Sequence, residues 1–239
     1  NEHLELPGMP RERALACAVR LLDRGFFRVG GEGYAEENKT YGLATMRKDH
    51  VTLSKGEVIF DYVAKSGKQR LQSVVDPLVF EAVGALKRRR AGGPELLAYR
   101  SGDTWRDVRS QEINDYLKDI SGDDYSAKDF RTWHATVHAS VALAVSFEAA
   151  RSKTARKRAI TRAVKEVAHY LGNTPAVCRK SYIDPRVIDR FESGVTIGAT
   201  LDHIGEVDPF DEGTLAVVEE AVLDLIGGDI SSPFLEEVA

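Results

Sequence analysis

The chain has 239 residues, 43% hydrophobic and 29% charged, enough for one large or two small globular domains with a substantial core. No apolar run is long enough to span a bilayer and no signal-peptide pattern opens the sequence, so cytosol is the default expectation. The net charge of −4 hides a segregation: beyond Arg190 there is no Lys or Arg but 12 acids, so residues 1–190 carry 33 bases against 25 acids, or +8. That body can bind a polyanion, while the acidic tail opposes non-specific binding. Basic clusters stand at Lys87–Arg90 and at Arg151–Arg162, although a charge run taken alone reads most simply as a solvated helix face. The two cysteines, Cys17 and Cys178, lie far apart and suit a reducing, cytoplasmic interior.

Residues 10–24 (PRERALACAVRLLDR) have helical periodicity, with proline suited to a first turn and Cys17 on the apolar face as packing. Gly30-Gly31-Glu32-Gly33 lacks the spacing of a phosphate-cradling glycine loop and reads as a turn. Strand-like runs follow at Tyr41–Met46, His50–Leu53, Glu57–Ala64 and Gln69–Val74, with Lys65-Ser66-Gly67-Lys68 as a hairpin connection. From Pro77 the pattern is helical, over 77–90, 104–120, 126–149, 155–171, 185–192 and 213–226, with connecting loops at Gly92–Pro94 and Ser101–Asp103. Ser126, three residues before Asp129, marks the start of the long central helix, and Gly172 is a natural stop for the one after it. The expected fold is α+β and mainly helical, one domain over 1–239. Within it, 1–75 holds a helix and a small antiparallel sheet, and 76–239 is helical.

His134 and His138 stand four apart on a helix, as zinc ligands can, but alanine follows His134 and no third ligand is evident, so no metal is expected. Tyr182 is the most informative residue. It follows Arg179 and Lys180 and comes nine residues after Asn173. A phenol has an ordinary pKa of about 10, so it needs neighbouring positive charge or a base to become a nucleophile. A tyrosine packed at a helix end is the plain alternative. Attack on a phosphodiester builds charge on the non-bridging oxygens, which planar guanidiniums match, and the departing oxygen needs a proton. Arg28 and Arg131 are candidates for the first role, Lys65 at the hairpin for the second, and Asn173 for an added hydrogen-bond donor. Each also has a structural reading: Arg131 as the partner of Asp129 or Glu148, Lys65 as a hairpin lysine, Asn173 as a helix-end residue, and Arg28 as a loop anchor.

Taken in order, FFRVG, YGLATM, YVAKSGK, KDFRTW and GNTP…KSYIDP resemble the type IB DNA topoisomerases, particularly the small bacterial and poxvirus-like ones, over most of residues 15–195. The resemblance implies that Tyr182 forms a 3′-phosphotyrosyl link, that Arg28 and Arg131 clamp the phosphate, and that Lys65 is the general acid. Asn173 stands where many relatives have histidine. Tyr34, Lys39, Lys68, Arg70 and Lys128 are the expected further contacts to double-stranded DNA. No metal, ATP or other cofactor is implied, and the protein is expected to act as a monomer beside the nucleoid. Relatives carry a β-rich N-terminal lobe; here about a dozen residues precede the first helix and the first residue is Asn, so a catalytic-domain fragment is expected. Tyrosine recombinases share the arginine–lysine–tyrosine logic but typically have a histidine where this chain has Lys128. A DNA-binding module that keeps the fold without catalysis is the other alternative.

Overall fold

The first helix spans Arg11–Arg24 (α1) in a computed structural model of the protein, which describes residues 1–228 and 231–237. The chain divides into two units, Asn1–Arg131 and Thr132–Ala239. The division falls inside the central helix, whereas the sequence suggested a change of character near residue 75. Of the acidic C-terminal segment, Asp229 lies outside the described residues.

In the first unit α1 buries Ala14, Leu15, Cys17, Ala18, Leu21 and Leu22, a stripe at helical spacing. Burial pushes the Cys17 thiol up to about 12, in keeping with a packing role. A short helix at Glu32–Asn38 (α2) follows, then three antiparallel strands, Val51–Ser54 (β1), Glu57–Ala64 (β2) and Lys68–Val75 (β3), with β2 in the centre. Alternation along β2 turns Val58, Phe60, Tyr62 and Ala64 inward. Phe27 meets Phe60 edge to face, with centroids 4.8 Å apart. At the hairpin tip Ser66 (φ 68°) and Gly67 (φ 70°) take left-handed conformations, and the register resumes at Ala64 opposite Lys68. Asp76 caps the helix Pro77–Arg88 (α3), accepting from the Val79 amide at 3.0 Å, with Pro77 in the first turn. A hairpin, Ala98–Ser101 (β4) with Thr104–Asp107 (β5), precedes Ser110–Ser121 (α4), and α1 packs against α3, α4 and β4.

Several boundaries differ from the sequence reading for identifiable reasons. The helix expected over 104–120 is a strand followed by a helix. Gly102 (φ 61°) turns the chain so that Thr104–Asp107 pairs with Ala98–Ser101, and α4 starts only where the Glu112 carboxylate accepts from the Arg109 amide at 3.0 Å. Tyr41–Met46 is no strand. It forms a 3-10 turn at Leu43–Thr45 whose amides serve another segment, Leu43 donating to Arg28 O at 2.8 Å and Ala44 to Val29 O at 2.7 Å. The Gly30–Gly33 turn ends early, because α2 begins at Glu32. Burial raises the pKa of the Glu32 carboxyl, yet hydrogen bonds from the Ser110 amide (2.7 Å) and hydroxyl (3.0 Å) outweigh this and hold it below its ordinary value.

The second unit begins within the central helix Ala127–Phe147 (α5), whose start is marked as expected: Asp129 accepts from the Ser126 amide at 2.8 Å and hydroxyl at 2.7 Å. Next come Lys153–Leu171 (α6), Pro175–Ser181 (α7), Pro185–Ser193 (α8), Gly198–Ile204 (α9) and Glu212–Gly227 (α10), with Val195–Thr196 (β6) paired to Glu236–Glu237 (β7). On α6 the residues Ala159, Ile160, Ala163, Val164, Val167, Ala168 and Leu171 are buried, while Lys153, Lys157, Arg158, Arg162 and Lys165 stay exposed, so the basic run is a solvent face. Phe191 of α8 meets Phe147 edge to face at 5.7 Å. The helices α7, α9 and the strands β4 to β7 have no counterpart in the sequence reading. Among the described residues no helix is long and apolar enough to cross a membrane.

His138 packs against aromatic rings. Its ring lies parallel to Phe210 at 3.9 Å, with Tyr170 at 5.5 Å. Burial, then the neighbouring His134, brings its pKa down from 6.5 to about 4, with Asp208 pulling the other way. The folded state therefore holds this imidazole neutral. Its contribution to stability is complete above pH 6.5 and is lost as the pH falls towards 4, amounting to about 3 kcal/mol from the size of the shift. Urea unfolding at pH 7 and pH 4.5 should show this loss in the wild type and a much smaller pH dependence in His138→Phe. Equal pH dependence in both would exclude His138 as its source.

Candidate active site

In the first unit the segment after α1 runs extended, with Phe27 turned into the core and Arg28 half-buried beside it. Its placement depends on a close backbone approach. Gly30 (φ 80°) lies against Gly42, where a Cβ would come within 2.4 Å of the Gly30 Cα and 2.9 Å of the Arg28 carbonyl oxygen. Only glycine permits this contact, which locks the FFRVG and YGLATM segments together and fixes Arg28.

Arg131, only 3% exposed, donates from its guanidinium to the Phe26 carbonyl at 2.5 Å, two residues before Arg28. The carboxylates that the sequence offered it are engaged elsewhere, Asp129 by Ser126 and Glu148 by Arg151 at 3.3 Å. The two arginines share a neighbour the sequence reading did not single out. Tyr62, 4% exposed on β2, donates its hydroxyl to Gln72 Oε1 at 3.0 Å. Burial raises the pKa of its phenol, while Arg70, Arg131 and Arg28, in that order of strength, pull it down. Arg70 is the cross-strand partner of Tyr62 in the β2–β3 register. Burial lowers its guanidinium from the ordinary value, Arg28 adds to this, and Tyr62 opposes it. Arginine remains charged under such shifts. Tyr62 thus feels the positive charge of Arg70, Arg131 and Arg28 together, and such a concentration of charge can attract an anion. Counting back from the hairpin tip would have paired Arg70 with Tyr62 from sequence alone.

The remaining residues of this unit are more exposed. Lys65 stands at the hairpin tip with its ammonium 5.4 Å from the Tyr34 ring centroid, a cation–π pair. Lys68 opens β3. Lys39 ends α2 in a left-handed conformation (φ 52°), and Lys128 lies exposed in the first turn of α5.

In the second unit Asn173 closes α6. Gly172 (φ 63°) reverses the chain and the Asn173 amide donates to Ala168 O at 2.9 Å. Thr174 caps α7, accepting from the Val177 amide at 3.3 Å, and Pro175 occupies the first turn. Tyr182, half-buried, is the residue that ends α7, its amide donating to Cys178 O at 3.0 Å. Asp184 then caps α8, accepting from the Arg186 amide at 2.9 Å. Among the described residues no group of three or more His, Cys, Asp or Glu side chains could hold a metal ion.

The fold is mainly helical α+β, with arginines on and beside a small antiparallel sheet in one unit and a tyrosine at a helix end in the other. The chain belongs to the DNA topoisomerase I family: the family described as eukaryotic DNA topoisomerase I, catalytic core, matches residues 2–197. It is similar to DNA topoisomerase 1B of Acanthamoeba polyphaga mimivirus, 27% identical over 212 residues that make up 86% of this chain and 62% of the relative. DNA topoisomerase 1 of Candidozyma auris is 32% identical over 128 residues, 53% of this chain and 16% of the relative. DNA topoisomerase I of Monkeypox virus is 21% identical over 189 residues, 79% of this chain and 57% of the relative. The chain therefore spans less than two thirds of the length of these relatives.

Proposed function

We propose that this chain is the catalytic part of a type IB DNA topoisomerase, relaxing supercoiled duplex DNA by reversible cleavage of one strand. The Tyr182 phenol gives up its proton to solvent as its oxygen attacks the phosphorus, the bond to the 5′ oxygen breaks, and a 3′-phosphotyrosyl ester forms. Lys65 protonates the departing 5′ oxygen. Arg28 and Arg131 stabilise the charge that develops on the non-bridging oxygens, and Asn173 adds a hydrogen bond. The free strand rotates and its 5′-hydroxyl reverses the reaction, regenerating Tyr182. The ester keeps the energy of the broken bond, so resealing consumes no ATP. Tyr34, Lys39, Lys68, Arg70 and Lys128 contact the duplex, chiefly its phosphates, which makes binding salt-dependent and weakly sequence-selective. A monomer acting on nucleoid DNA in the cytoplasm belongs to the same reading.

The observation that carries it is the match of residues 2–197 to the family's catalytic core, supported by the positive charge that Arg70, Arg131 and Arg28 exert on the Tyr62 phenol within that stretch. Side-chain cations can supply the charge stabilisation of the transition state. Relaxation of negatively supercoiled plasmid is therefore expected in EDTA without ATP, at a rate close to that with magnesium. Topoisomer ladders on agarose gels read this. Plasmid that stays supercoiled in EDTA but relaxes on adding Mg²⁺ would overturn the proposed chemistry.

A further inference from the structure

We propose that Thr136 is a positioning residue for the attacking tyrosine: its hydroxyl anchors to α5 the main-chain turn that carries Tyr182. The inference rests on the reading of Tyr182 as the nucleophile and names the group that aims it.

Thr136 is 2% exposed. Its Oγ1 accepts from the Asp184 amide at 3.2 Å. The same hydroxyl donates to Thr132 O, one helical turn back, at 2.9 Å, with the Tyr182 carbonyl as a second acceptor at 3.4 Å. The turn Tyr182–Asp184 is thus bracketed. On its N-terminal side the amides of Tyr182 and Ile183 both donate to Cys178 O, at 3.0 and 3.2 Å, holding it to the last turn of α7. On its C-terminal side Asp184 precedes Pro185, which confines it to extended backbone (ψ 124°). Asp184 is also clamped by Arg186, whose guanidinium meets its carboxylate at 2.9 and 2.6 Å and reaches the Ile226 carbonyl at 2.9 Å. Between these brackets the Thr136 hydroxyl joins the turn to α5.

Threonine suits this position for a physical reason. Its β-branch limits the side-chain rotamers in a helix, and the bond back to Thr132 O selects the one that presents the hydroxyl oxygen to the Asp184 N–H. Valine keeps the shape and removes the acceptor, leaving that amide without its bond. The turn then moves or frays, and an error of about 1 Å in the place of an attacking atom is enough to cost about 100-fold in rate.

The experiment compares single-turnover cleavage of a suicide DNA substrate by wild type, Thr136→Val, Thr136→Ser and Tyr182→Phe, with duplex affinity measured alongside. Thr136→Val should cleave about 10- to 100-fold more slowly with its affinity for DNA unchanged, and Thr136→Ser, which keeps the hydroxyl, should recover most of the rate. Amide hydrogen exchange at Asp184 in the absence of DNA should quicken about tenfold or more in Thr136→Val and not in Thr136→Ser. A general loss of packing would slow both variants alike and spread the exchange over α5. Cleavage by Thr136→Val at the wild-type rate overturns the proposal, as does a serine variant no faster than the valine one. Should the valine variant fail to fold, Thr136→Cys carries the comparison, since a thiol is a weak acceptor. A cysteine variant with wild-type rate and wild-type exchange at Asp184 also overturns the proposal. An adduct formed by Tyr182→Phe would refute the nucleophile assignment instead, an outcome distinct from a failure at Thr136.

Discussion

Tyr182→Phe is expected to abolish covalent capture of DNA and plasmid relaxation, lowering the cleavage rate by about 10⁴-fold or more, since the variant has no oxygen with which to form the ester. The substitution keeps the ring, and backbone amides help hold the turn: that of Tyr182 donates to Cys178 O and that of Asp184 to the Thr136 hydroxyl. Folding and affinity for duplex should therefore be nearly those of the wild type. Denaturing gels of protein incubated with labelled nicked duplex read the adduct, and a salt titration of binding reads the affinity. A retained adduct would move the nucleophile elsewhere in the chain. Lost adduct together with lost binding would mean that Tyr182 serves the DNA interface rather than the chemistry.

Arg131→Ala has two consequences that must be separated. The first is catalytic. A fixed guanidinium acts on charge that exists mainly in the transition state, and removing one neutral donor from such a site already costs about 10²- to 10³-fold. For a permanent charge the expected loss in cleavage rate is larger, about 10³- to 10⁵-fold, with little change in DNA affinity. The second is structural. Arg131 is buried and donates to the Phe26 carbonyl two residues ahead of Arg28, so its loss also loosens the segment that holds the other arginine. Truncation of a buried group of this kind costs about 2–4 kcal/mol of stability, visible in thermal melts. Arg131→Lys keeps the charge but not the planar fork and should recover only part of the rate. Because the two arginines share this support, the double variant Arg28→Ala/Arg131→Ala should lose less than the product of the single losses. A near-wild-type cleavage rate in Arg131→Ala would remove Arg131 from the proposed site, and strictly multiplicative losses would mean that the two arginines act independently.

Local elements were legible wherever their signals were local. The β2 run Glu57–Ala64 coincides with the strand, the hairpin tip lies at Lys65–Gly67, and the Ser126–Asp129 box begins α5. Thr174-Pro175 carried an equally good start signal for α7, but the segment is only seven residues long and its periodicity was too short to register. The helix wrongly extended over 104–107 failed for the opposite reason. Trp105 and Val108 fit a helical stripe, yet pairing with Ala98–Ser101 claimed the backbone first. Tyr41–Met46 departs from a strand because, although the Tyr41 amide donates to Val63 O of β2, those of Leu43 and Ala44 are spent on Arg28 and Val29.

The same division holds for the candidate site. Residue type and order alone singled out Arg28, Lys65, Arg131, Asn173 and Tyr182, because chemical capacity belongs to the side chain and the motifs bearing them are short. How those side chains are supported depended on contacts across long stretches of chain. Arg131 meets Phe26 across 105 residues, and Thr136 meets Asp184 across 48. Tyr62, whose phenol is pulled down by three guanidiniums, reads in the sequence as one more inward residue of a strand. Periodicity and capping report interactions within a few residues, so they determine which groups a helix or hairpin can offer. Where those groups stand and what holds them follow from burial and hydrogen bonding summed over distant segments, and only the folded chain decides that.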